Sequence, residues 1–92
     1  MIIHIKHKGL RLLYQKGDRS KLSAKYIDKI ERVLARLDQA EKPEDMNLPS
    51  YRLHPLVGNF NHYWAISISA NMRVIFRFEQ ENITDIDLID YH

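Results

Sequence analysis

The feature that most constrains this chain is a change of hydrophobic period near Ser50. Before it, apolar residues recur every three or four positions; after it, they alternate. From His7 to Lys16 the residues Leu10, Leu13 and Tyr14 share one helical face, and Gly17 supplies a stop. A second helix is expected to begin near Ser20 or Ser23, either of which can cap it, with Ala24, Ile27, Ile30, Val33 or Leu34, and Leu37 as its buried stripe. The run AEKPEDMNLPS, with two prolines and several acids, reads as a loop.

Short strands are expected at the opening IIHI and at Tyr51 to Pro55. Longer ones should run from Tyr63 to Ser69, Met72 to Phe78 and Ile83 to Asp90, joined at hairpin distance by SAN and EQEN. One strand, two helices and a meander make an α+β domain. Its two N-terminal helices should pack on one face of a mainly antiparallel, four- to five-stranded sheet. Residues 1–92 are expected to form this single domain, since 92 residues with 45% apolar content support one modest core. By alternation Arg73, Ile75 and Arg77 face away from Val74, Phe76 and Phe78. If the aromatic side is the core, two guanidinium groups line a partly open face. The same rule places Asp90 and His92 together.

Cysteine is absent, which removes disulfides, thiolate zinc sites and cysteine nucleophiles and suits a reducing cytoplasm. MIIHI is too short for a signal peptide, and no window approaches a membrane span. Neither helix offers the bulky aromatic face of a membrane-surface anchor. His4 and His7 need not converge, and no HExxH spacing occurs, so no metal site is expected. No G-x-S-x-G elbow and no phosphate-cradling glycine loop exist, so no nucleotide cofactor is expected either.

The net charge is +2, unevenly spread. Residues 1–25 carry Lys6, Lys8, Arg11, Lys16, Arg19, Lys21 and Lys25 against the single acid Asp18. That asymmetry fits either a phosphate-binding surface or a solvated helical face. What remains is a set of imidazole, guanidinium, phenol and carboxylate groups: His54, Arg73, Arg77, Asp90, Tyr91 and His92. RNA carries its own nucleophile, the 2′-hydroxyl. A ribonuclease therefore needs only a proton acceptor, a proton donor and a cation for the phosphoryl oxygens, which histidine and arginine can supply. A plainer reading pairs the sheet arginines with Asp85, Asp87 or Glu79 across strands.

IKHKGLRLLY, YRLHPLVG, YWAISISANMRVIF and the terminal DYH resemble the HigB-type toxins of the RelE superfamily over essentially the whole chain. The resemblance implies a RelE-like fold and a toxin of a type II toxin–antitoxin pair. Such a toxin enters the A site of the 70S ribosome, against its ribosomal RNA, and cleaves the translated mRNA without metal. It further implies a helix-turn-helix antitoxin of the HigA type as partner, with operator DNA bound only through the complex. Carried over by motif, His54, Arg73, Asp90, Tyr91 and His92 are the expected catalytic residues. Arg73 would meet the scissile phosphate, the two histidines would share proton transfer or phosphate binding, Asp90 would orient or activate, and Tyr91 would stack or position His92. The terminal carboxylate beside His92 makes that ring the better candidate acid. Lys6, Lys8, Arg52 and Arg77 are the expected RNA contacts. Val57 and Ser69 stand where relatives often carry lysine and arginine, which keeps a rival open: a protein that blocks the ribosome without cutting.

Overall fold

The computed structural model describes residues 1–90. The elements are α1 (Lys8–Lys16), α2 (Ile27–Gln39), β1 (His54–Pro55), β2 (Tyr63–Ser67), β3 (Met72–Glu79) and β4 (Asn82–Asp90). Short 3-10 turns lie at Pro43–Met46, Pro49–Tyr51 and Gly58–Phe60. The strands form an antiparallel meander in the order β1-β2-β3-β4. Beside β4 the opening residues run parallel to it, with Ile2 bridging to Ile83 and Ile5 to Ile86. The expected first strand is thus a broken fifth ribbon that covers the edge of β4.

Both helices pack on one sheet face. Leu10 and Leu13 of α1, and Ile30, Val33, Leu34 and Leu37 of α2, share a core with Ile66, Val74, Phe76, Ile83 and Ile86. Each such side chain contributes about 1.5–3 kcal/mol on leaving water. His7 caps α1 with its ring: Nδ1 accepts the Leu10 N–H at 3.2 Å. Gly9 is pressed between that ring and Leu22, where an added Cβ would lie 3.0 Å from His7 Cε1. At the other end Gly17 adopts φ +67 and returns its N–H to Leu13.

Several expectations shift for identifiable reasons. Helix α2 begins at Ile27, later than either serine, because both serines are committed to turns. Asp18 Oδ1 accepts the N–H and hydroxyl of Ser20, while Ser23 Oγ accepts the N–H of Lys25. Such local bonds compete with helix nucleation. Ala24 is consequently exposed, outside the buried stripe. Tyr14 is also 39% exposed, its hydroxyl donating to Asp38 on α2 at 2.9 Å. The proline-rich loop is structured around a fully buried Met46. Tyr51 closes a 3-10 turn rather than opening a strand, which shortens β1 to His54 and Pro55.

Candidate active site on the second face of the sheet

Register determines which side chains meet. His54 lies opposite Ala65, Ala65 opposite Ile75, and Ile75 opposite Asp87. Directly opposed residues share a face, so His54 stands on the face turned away from the helices. Arg73 sits on the same face in the next row, between Ser67 and Ile89. Ile75, between the two arginines, is only 1% exposed, so the centre of this face is closed rather than open.

Arg73 Nη1 donates to His54 Nε2 at 3.2 Å, and His54 Nδ1 lies 2.8 Å from the Arg52 carbonyl. A guanidinium only donates and a carbonyl only accepts. Together the two contacts place the proton on Nδ1 and leave the Nε2 lone pair facing Arg73. The carbonyl is aimed by a left-handed turn at Arg52, φ 49. A side chain held there costs on the order of 1 kcal/mol. Pro55 keeps His54 extended. Sequence order therefore builds the imidazole's setting within four residues, and β3 brings the guanidinium.

Beside Arg73 lies a polar cavity of about 350 Å³. Lys29, Arg52 and Arg73 line it together with Ser50, Ser67 and Ser69. Lys29 is a residue that sequence reasoning does not single out. No periodicity signals that this helix side turns toward the β2–β3 turn. Ser69 holds that turn, its Oγ accepting the N–H groups of Asn71 and Met72 at 3.3 and 3.1 Å.

At the opposite end of the face Arg77 is acid-paired, as the plainer sequence reading has it. Its Nε and Nη2 donate to Asp85 Oδ2 at 2.9 and 2.7 Å, and His4 Nδ1 lies 2.8 Å from Oδ1. Between Ile75 and Arg77 the register slips. Strand β4 carries an extra residue there, and Asp85 takes φ +53. This bulge redirects the carboxylate toward Arg77. The Asp85 hydrogen bond raises the Arg77 pKa further. Burial pushes the Asp85 carboxyl up, but bonds from Arg77 and His4 outweigh it and hold the group below its ordinary value. Arg77, expected as an RNA contact, has its charge engaged here.

Lys6 reaches the same end. Its Nζ donates to the Tyr63 hydroxyl at 3.0 Å, a bond that raises its pKa, and sits 5.6 Å from the ring centroid. Lys8 is exposed at the start of α1. Asp90 pairs with Met72, so strand alternation assigns it to the face of Val74 and Phe76, opposite that of Arg73. It is exposed there. Tyr91 and His92 lie outside the described residues. Val57 is 85% exposed. His4 and His7 serve separate purposes, a contact with the Asp85 carboxylate and a helix cap. Among the described residues no group of three or more His, Cys, Asp or Glu is arranged to hold a metal. None of their helices is long and apolar enough to cross a membrane.

Comparison with known proteins adds identity to this geometry. A family model described as the RelE-like toxin of type II toxin–antitoxin system HigB matches residues 3–92. The chain is 39% identical over 92 residues to Endoribonuclease HigB of Proteus vulgaris, covering 100% of both proteins. Among solved structures, a YoeB/ParE toxin from Agrobacterium tumefaciens aligns with TM-score 0.64 at 15% identity, covering 100% of each chain. YafQ from E. coli aligns with TM-score 0.60 at 13% identity over 94% of this chain and 90% of that one. At those identities the two structures establish the fold.

Proposed function

The chain belongs to the HigB-like family of RelE-like toxins of type II toxin–antitoxin systems; on that premise we propose that it cuts messenger RNA in the ribosomal A site, in the cytoplasm, by attack of the 2′-hydroxyl on the adjacent phosphate. The observation that carries this reading is the contact between Arg73 and His54. In it an imidazole with its lone pair on Nε2 touches a permanent cation.

The proposed chemistry uses that pair directly. Arg73 grips the non-bridging oxygens of the scissile phosphate, giving up its bond to His54 as substrate enters. Nε2 of His54 then accepts the 2′-hydroxyl proton while the 2′-oxygen bonds to phosphorus. The bond from phosphorus to the 5′-oxygen breaks, leaving a 2′,3′-cyclic phosphate. His92 is assigned the proton for the departing 5′-oxygen, with Tyr91 positioning it or stacking on a base, and Asp90, which strand alternation puts on the other face, orienting His92 rather than touching the reacting groups. These last three assignments rest on the DYH motif. An arginine clamp on developing charge typically provides about 10²–10³ in rate, and a placed base about 10²–10⁴.

The antitoxin that neutralises this activity is assigned to the helix-turn-helix HigA type, with operator DNA bound through the complex. The identity to a relative named an endoribonuclease supports cutting over blockade. Mapping of message 5′ ends after induction tests it. New ends inside codons, absent with Arg73→Ala, are expected; growth arrest without new ends would transfer the case to blockade.

A further inference from the structure

Arg73 belongs to two places at once. Its Nη1 reaches the His54 ring, and its side chain also lines the 350 Å³ cavity between α2 and the β2–β3 turn. Three cations converge there from distant parts of the chain: Lys29, Arg52 and Arg73. Among the described residues no carboxylate lines it. Lys29 is held in position, its Nζ 3.4 Å from the Ser50 carbonyl and 5.9 Å from the Tyr51 ring centroid. Ser69 Oγ already accepts two backbone N–H groups, so its remaining capacity is its own O–H, directed as a donor. Among the described residues, three cations and hydroxyl donors make a concave site for an anion.

We propose that this cavity is a second phosphate subsite, holding the phosphodiester next to the scissile one, with Lys29 as the positioning cation. The inference rests on the ribonuclease reading above and names how that site takes its substrate. Because one guanidinium serves both places, the occupant lies one linkage along the strand from the bond being cut. Seating that neighbour fixes the register of the RNA, so that a single phosphate meets His54.

The test uses programmed ribosomes and messages carrying one neutral methylphosphonate, either one linkage 5′ or one linkage 3′ of the cut. Lys29→Met lowers kcat/KM on unmodified message by about ten- to hundred-fold, as loss of a charged hydrogen bond does, and Lys29→Arg restores most of it. On the message neutralised at the subsite linkage, wild type falls to the Lys29→Met rate, and the variant loses nothing more. Unchanged cleavage by Lys29→Met, or losses that multiply at both linkages, overturns the subsite. A second arm does not depend on cutting: inorganic phosphate titrated into the isolated, folded protein and followed by amide NMR. Shifts at Ser50 and Ser69 that vanish in Lys29→Met support the cavity as a phosphate site, even if wild type cuts no message and the ribonuclease reading falls. Unmoved Ser50 and Ser69 amides in wild type overturn it.

Discussion

Arg73 and Arg77 lie on the same face of one strand, two alternations apart, and the fold gives them opposite employment. Arg77 meets a β4 that carries an extra residue, and the displaced Asp85 takes two of its N–H groups. Arg73 has Ser67 and Ile89 across from it and reaches diagonally to the His54 ring. Identical side chains therefore meet a carboxylate at one end and, at the other, an imidazole beside a cavity of cations and hydroxyls, the end proposed as the phosphate clamp. What separates them is the partner that register supplies.

The largest effect expected is on the Arg73 side. His54→Ala should lower single-turnover cleavage on programmed ribosomes by about 10²–10⁴ while the unfolding midpoint stays near wild type. A drop in stability without a drop in rate would place His54 with the structural end instead. Next, Asp85→Asn should cost about 1–2 kcal/mol of stability, read from urea unfolding, because Arg77 loses its charged acceptor in a partly buried setting. Asparagine tolerates the left-handed backbone there, so the loss reports the ion pair and not the bulge. Cleavage should change by no more than a few-fold.

That tie has a pH signature. Asp85 titrates below its ordinary 3.8 when folded, so its ionised form favours the folded state. The resulting stability is fully present above the unfolded value and is lost as pH falls through the folded one. The stability difference between wild type and Asp85→Asn should hold steady above about pH 5 and shrink below pH 4; a difference independent of pH would remove the carboxylate's charge from the account. Smallest is Ser69→Ala, which removes the acceptor for two turn amides and should cost about 0.5–1.5 kcal/mol, measured by thermal unfolding. An unchanged midpoint would mean the turn holds without it.

Much of this was readable beforehand, and the parts that were not share a cause. Periodicity predicts the helical stripe from Ile27 to Leu37, the strands from Tyr63 onward and the face shared by Arg73 and Arg77, because those follow from 3.6- and 2-residue repeats. The late start of α2 was not readable, because Ser20 and Ser23 suit a cap and a turn equally. The bulge at Asp85 changes which residues oppose each other, and alternation alone carries no sign of an inserted residue. For the same reason Asp90 falls opposite Met72, a register that strand ends do not announce. Lys29 reaches the sheet only through tertiary packing. His54 could be singled out from the LHPL motif, but its tautomer needed the Arg52 carbonyl.

The most direct test of the division between the two arginines is to replace each with alanine and measure both cleavage on programmed ribosomes and unfolding free energy. Arg73→Ala should lose about 10²–10³ in rate with little change in stability, and Arg77→Ala should lose about 1–2 kcal/mol of stability with cleavage within a few-fold of wild type. Equal losses of rate in the two variants, or the reverse pattern, would contradict it.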